Sequence, residues 1–183
     1  MRSIDKIVNL LKHPIVESNN YINRCHDKLK KESVLQLDNF LKDETISILQ
    51  NEAKALHNQA YYCSQFHTIL LNKKDEEISD EDPCNIEVKS DKGCVPHDLI
   101  PSKSFLNQIY KSNEFKNFLK KVLGVKKIYP YKDNLSSINY NYYEKSQQLG
   151  WHFDNASFAI TLMIQSSDSG GNFQYINKGR DIE

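Results

Sequence analysis

Apolar residues recur every three or four positions through much of the first two thirds of the chain and every second position through much of the last third. The first period belongs to helices with one buried face, the second to half-buried strands. Ser3 is placed to cap a short helix carrying Ile4, Ile7, Val8 and Leu11 on one side, and Pro14 ends it or opens the next. A second helix is predicted over 19–31, with Ile22, Cys25 and Leu29 at helical spacing and Lys28, Lys30 and Lys31 on a solvated face. His13 and His26 fall in these two helices without a functional partner. Residues 33–41 (SVLQLDNFL) read as a strand, followed by Asp43 as the cap of a helix over 44–59 whose stripe is Ile46, Leu49, Ala53 and Leu56. Residues 61–71 (YYCSQFHTILL) read as a strand.

The polar, acidic segment 72–92 reads as a long mobile loop, with a lid as the functional alternative. Residues 93–101 make a connection. Phe105, Leu106, Ile109 and Tyr110 mark a short amphipathic helix. The next is the clearest in the chain: Ser112 caps it, Phe115, Phe118, Leu119, Val122 and Leu123 form its stripe, and Gly124 stops it. Beyond that point strands are predicted over 127–131, 136–143, 150–154, 158–165 and 172–176, with 166–171 (SSDSGG) as a turn.

Length and composition narrow the class. The 183 residues suit one domain large enough for a real core. Hydrophobic content is only 39%, but 10 Tyr and 8 Phe supply bulk. Lys+Arg and Asp+Glu are both 24, so no charge excess argues for nucleic acid or an anionic membrane as partner. No apolar run approaches the ~20 residues of a spanning helix. Cys25, Cys63, Cys84 and Cys94 form no CxxC and follow no secretory segment, which fits free thiols in the cytoplasm; Cys84 and Cys94, flanking the acidic loop, are the pair that oxidation would join.

One stretch carries chemistry: Gly150, Trp151, His152, Phe153, Asp154, Asn155. On a strand, His152 and Asp154 share a face and Phe153 takes the other. An imidazole and a carboxylate so placed are two thirds of the facial triad that holds non-haem Fe(II) with open positions. A bare His-x-Asp occurs often by chance, and a satisfied polar pair at a strand end is the bland alternative. Trp151 points away and reads as core packing. Asn155 reads as a hydrogen-bonding neighbour of the pair.

The context of this pair resembles the Fe(II)/2-oxoglutarate-dependent dioxygenases, within them the bacterial branch of free amino-acid hydroxylases and halogenases. The resemblance runs from His97 to about Arg180. Its parts are PHDLIP (96–101), a helical pair ending in VLG (122–124), YPYKDNLSSINYN (129–141), LGWHFDNASFAITLMIQ (149–165) and GGNFQY (170–175). It implies an α+β protein: a helical and strand support region over 1–124, packed on an incomplete double-stranded β-helix, or jelly roll, whose first part is 125–183. It implies His152 and Asp154 as iron ligands, and Fe(II) and 2-oxoglutarate as cofactor and cosubstrate. It implies O2 and a small-molecule substrate such as a free amino acid.

Tyr143, nine residues before His152, corresponds to a tyrosine that donates to 2-oxoglutarate in prolyl-hydroxylase-like relatives; an ordinary strand aromatic is the alternative. Asn139 and Asn141 share its strand face, and Asn141 is the stronger pocket candidate. His97-Asp98 belongs to the family run and reads as loop bracing. His57 and His67 precede the barrel and are not expected at the metal. In halogenating relatives the carboxylate position holds a small residue that leaves room for chloride. Asp154 fills it, which favours hydroxylation over halogenation.

The family's second iron-binding His, and the Arg or Lys that follows it to pair with 2-oxoglutarate, have no match after His152. The resemblance therefore implies a truncated or split form, with weak metal affinity alone and a partner chain completing the barrel. A non-catalytic jelly roll used for binding is the alternative from a different functional class.

Overall fold

The computed structural model describes residues 4–177. It is an α+β fold of helices packed beside a three-stranded antiparallel sheet. The helices are α1 (Ile4–Ile7), α2 (Asn19–Glu32), α3 (Asp43–Leu56), α4 (Phe105–Lys111) and α5 (Asn113–Val122). The strands are β1 (Tyr61–Thr68), β2 (Glu87–Val95) and β3 (Tyr140–Tyr142), in the order β1-β2-β3.

Local chemistry sets the helix ends. Ser18, Ser104 and Ser112 each accept a hydrogen bond from a first-turn amide, of Tyr21, Leu106 and Phe115 respectively. Gly124, at φ +66°, ends α5 in the left-handed region as expected. The main core gathers Ile4, Ile7, Val8, Ile22, Leu49, Phe118 and Val122 between the helices. A second cluster of Leu56, Val95, Ile100 and Tyr140 joins α3 to one face of the sheet.

Several expectations give way. Ser3 lies outside the described residues. Helix α1 is one turn only, Leu11 is fully exposed, and His13 sits in the turn after it, with its ring held by Tyr21 Oη and the Asp38 carbonyl. Residues 33–41 form no strand: Ser33 and Asn39 take positive φ and interrupt any ladder, leaving a lone bridge between Leu41 and Val8. Asp43 is the first helical residue rather than the cap, where its charge still favours the helix N-terminus.

The acidic segment is shorter and better braced than predicted. Residues 87–92 belong to β2, which pairs with β1 from Thr68↔Glu87 to Tyr61↔Cys94. In the remaining loop, buried Asn85 accepts from Asp75 N–H and donates to the carbonyls of Asp75, Ile78 and Ser79. All four cysteines are free, including Cys84 and Cys94.

Beyond Gly124 only Tyr140–Tyr142 forms a strand among the described residues, paired Val95↔Tyr140 and Gly93↔Tyr142. The predicted strands at 127–131, 150–154, 158–165 and 172–176 are not formed there, nor is a jelly roll. The physical reason is the want of a neighbour: an alternating segment becomes a strand by exchanging hydrogen bonds with another.

Candidate metal centre

The pleat sorts the sheet's side chains. Residues directly opposite in an antiparallel pair share a face. One face carries Val95, Tyr140 and Tyr142 and lies against α3, where Tyr140 donates to Glu52 (2.7 Å) and Tyr142 to the Ala53 carbonyl (2.7 Å). The other carries Gln65 and His67 from β1, Val88, Ser90 and Cys94 from β2, and Asn141 from β3. Alternation carried one residue past β3 puts Tyr143 on this second face too.

The segment 148–153 is strapped along β2 and over to the end of β1. Asp91 N–H donates to the Gln148 carbonyl (2.8 Å), and Gln148 N–H donates back to Asp91 Oδ1 (2.7 Å). The Lys89 ammonium, 2.6 Å from Asp91, and the Gln148 amide together hold that carboxyl below the usual carboxylate range. Next, Gly150 N–H donates to Ser90 Oγ (2.9 Å) and Phe153 N–H to the Ile69 carbonyl (2.8 Å). A Cβ on Gly150 would stand 2.7 Å from Val88 Cγ2 and 2.8 Å from the Lys89 carbonyl oxygen, so the strap lies this close only with glycine there.

His152 and Asp154 lie close together, on backbone that is not in a ladder. His152 Nε2 stands 3.5 Å from Asp154 Oδ1. The imidazole is largely covered and the carboxylate more than half exposed. His152 Nδ1 lies 2.7 Å from the Gly150 carbonyl, which can only accept, so Nδ1 carries the hydrogen. Nε2 is then the atom presented to Asp154, and the gap between the two suits either a proton on Nε2 or a cation.

The spacing of this pair is compatible with a shared cation. Two donors ~2.1 Å from one ion, at tetrahedral to octahedral angles, stand roughly 3.0–3.4 Å apart, close to the observed spacing. The backbone hydrogen bond on the far nitrogen is the usual support for a ligating imidazole. Among the described residues no group of three His, Cys, Asp or Glu side chains is arranged to hold an ion.

The other candidates separate. Asn141 is exposed and turns its amide to Asn139 Oδ1 (2.9 Å). Tyr143 is half-exposed; partial burial pushes its phenol up, with the Cys94 thiol adding. Trp151 is exposed rather than packed in a core. His57 is likewise exposed, beside Tyr62 Oη and Glu144. His97 braces loops: Nδ1 accepts from Ser137 Oγ (2.6 Å), Nε2–H donates to Asn107 Oδ1 (2.9 Å), and the Asn107 amide donates to the Pro101 carbonyl.

His67 is the residue that sequence reasoning set aside. Its buried ring lies 6.2 Å from that of His152, perpendicular to it. Its position before the barrel suggested distance from the site. The available signal was its alternation with Cys63 and Gln65 on one strand face, but nothing in the sequence fixed which strand would lie beside it.

A family model described as Halogenase D matches residues 17–181. No curated protein and no solved structure matches.

Proposed function

This chain belongs to the Halogenase D family, and from that premise we propose that it is an Fe(II)/2-oxoglutarate-dependent oxygenase hydroxylating a small molecule such as a free amino acid. The observation that carries the reading is the His152–Asp154 pair: one imidazole and one carboxylate 3.5 Å apart, the imidazole held from behind by a backbone carbonyl. His152 Nε2 and Asp154 Oδ1 would hold the metal, with a third ligand from outside the described residues. Bound there, Fe(II) with 2-oxoglutarate and O2 supplies the oxidising chemistry that side chains lack. Gly150 keeps the His152 ring oriented. Asn141 and Tyr143, on the same sheet face as His67 and Ser90, are the side chains assigned to the cosubstrate. A partner chain adding strands to complete a jelly roll is part of the same proposal.

Halogenation is the second reading, and the family's description favours it. Asp154 weighs toward hydroxylation, because a carboxylate stands where the halogenating relatives leave room for chloride. It does not by itself remove the second reading.

Anaerobic titration with Fe(II) and 2-oxoglutarate tests the site through the visible charge-transfer band of the bound chelate. The band should form weakly with this chain alone and vanish in His152→Ala and Asp154→Ala. Loss of a ligand should weaken Fe(II) binding beyond the ~10–100-fold typical of changes in outer partners. Exposure to O2 with chloride and candidate amino acids then separates the reactions. A product heavier by one oxygen, matched one for one by succinate, is hydroxylation; a chlorine isotope pattern is halogenation. Folded protein that gives neither band nor succinate is catalytically silent, which overturns the oxygenase reading for this chain.

A further inference from the structure

The geometry points to Ser90 and His67 as positioning residues for His152, a relay that fixes the imidazole's tautomer and holds Nε2 toward Asp154. The inference rests on the reading of His152 as a metal ligand. Four hydrogen bonds carry it, and backbone groups set the direction at three points. His67 Nδ1 lies 2.8 Å from the Thr68 carbonyl, so Nδ1 is the donor. In the neutral ring Nε2 then accepts, and the partner 2.6 Å away is the Ser90 hydroxyl, which donates. Ser90 Oγ in turn accepts from Gly150 N–H (2.9 Å). The Gly150 carbonyl accepts from His152 Nδ1–H (2.7 Å). With His67 neutral each group has one role, and no reversal of a single bond satisfies the others.

The relay is built into the packed part of the molecule. His67 and Ser90 are both buried and come from the paired strands β1 and β2. Gly150 therefore takes its position from the sheet, and His152 takes its own from Gly150. Without the relay a neutral imidazole samples both tautomers, and the Nε2–H form has its lone pair on Nδ1, turned away from Asp154. His67 is not itself suited to ligate, because both its nitrogens are already engaged and its Nε2 contact to Ser90 is the shortest of the set.

Imidazole nitrogen NMR on the metal-free protein, with the His152 signal assigned from His152→Gln, reads the tautomer directly. The wild type should show the Nδ1–H form. Ser90→Ala, verified as folded by circular dichroism, should show a mixture and bind Fe(II) at least ~10-fold more weakly, the lower end for lost outer partners. Ser90→Thr, which keeps the hydroxyl, should restore both properties. A folded Ser90→Ala with wild-type tautomer and affinity overturns the inference. If Ser90→Ala does not fold, Ser90→Cys gives the same comparison with a weaker hydrogen bond, and wild-type values there overturn it equally. Failure of the iron reading is distinguishable: the His152 tautomer would still respond to Ser90, while Fe(II) would leave its nitrogen shifts unmoved.

Discussion

At the scale of single residues, hydroxyls tie the sheet to the helix behind it. Tyr140 and Ser104 both donate to Glu52 Oε1, at 2.7 and 2.6 Å, while Tyr142 donates to the Ala53 carbonyl. Burial is the main reason the Tyr142 phenol is pushed up to about 12, with Tyr62, Cys94 and Glu52 adding to it. A phenol whose folded pKa exceeds its unfolded value of about 10 stabilises the fold fully below pH ~10, and that contribution is lost as pH rises through the folded value. Tyr142→Phe should cost about 1 kcal/mol at neutral pH, the worth of one hydrogen bond. It should also flatten the fall in stability between pH ~10 and ~12. Urea unfolding of both proteins at neutral and alkaline pH is the check, and an unchanged slope would assign the alkaline loss to other groups. In the site itself, a separation of two residues in sequence is enough to bring His152 and Asp154 together.

At the scale of elements, β2 organises the site, and it was the element hardest to read in the sequence. Its run Glu87–Val95 has two valines and is otherwise charged or small, so propensity argues for loop. What makes it a strand is the eight-residue ladder to β1 and the short one to β3, which are long-range facts. Residues 33–41 show the reverse. Val34, Leu35, Leu37, Phe40 and Leu41 look like a strand, yet the leucines and Phe40 pack against the helical core with no ladder beside them.

Helices α2, α3, α4 and α5 were legible because their apolar stripes, and for α5 the Ser112 cap and terminal glycine, are local features. The stop of α5 can be tested. Gly124 has φ +66°, and a Cβ there would stand 3.2 Å from His26 Cε1. That ring is itself held 2.8 Å from the Val122 carbonyl, joining α2 to the end of α5. Gly124→Ala should destabilise by about 1–2 kcal/mol from the left-handed backbone alone. Thermal unfolding reads the loss, and an unchanged midpoint would mean that the end of α5 relaxes freely.

At the scale of the whole molecule, burial is unevenly shared. The helices and β2 hold the core, whereas Trp151, Phe158, Ile160, Met163, Phe173, Tyr175 and Ile176 are exposed. Leu162 and Ile164 reach back to the core, and the Ile164 carbonyl accepts from Gln50 (2.9 Å). Most of the backbone over 156–177 therefore lacks a ladder while carrying alternating apolar side chains, a combination that favours pairing with another strand. This is why the alternation was readable in the sequence and the jelly roll was not reached: the pattern names a strand, but a strand is completed by its neighbour. Hydrogen exchange should accordingly divide the chain. Amides of α2, α5 and the β1–β2 ladder should be protected, and those of 156–177 should exchange orders of magnitude faster. Equal protection in both regions would mean that 156–177 already pairs in solution. Protection confined to 158–165 and 172–176, appearing only as protein concentration rises, would mean that these segments pair with a second copy of this chain.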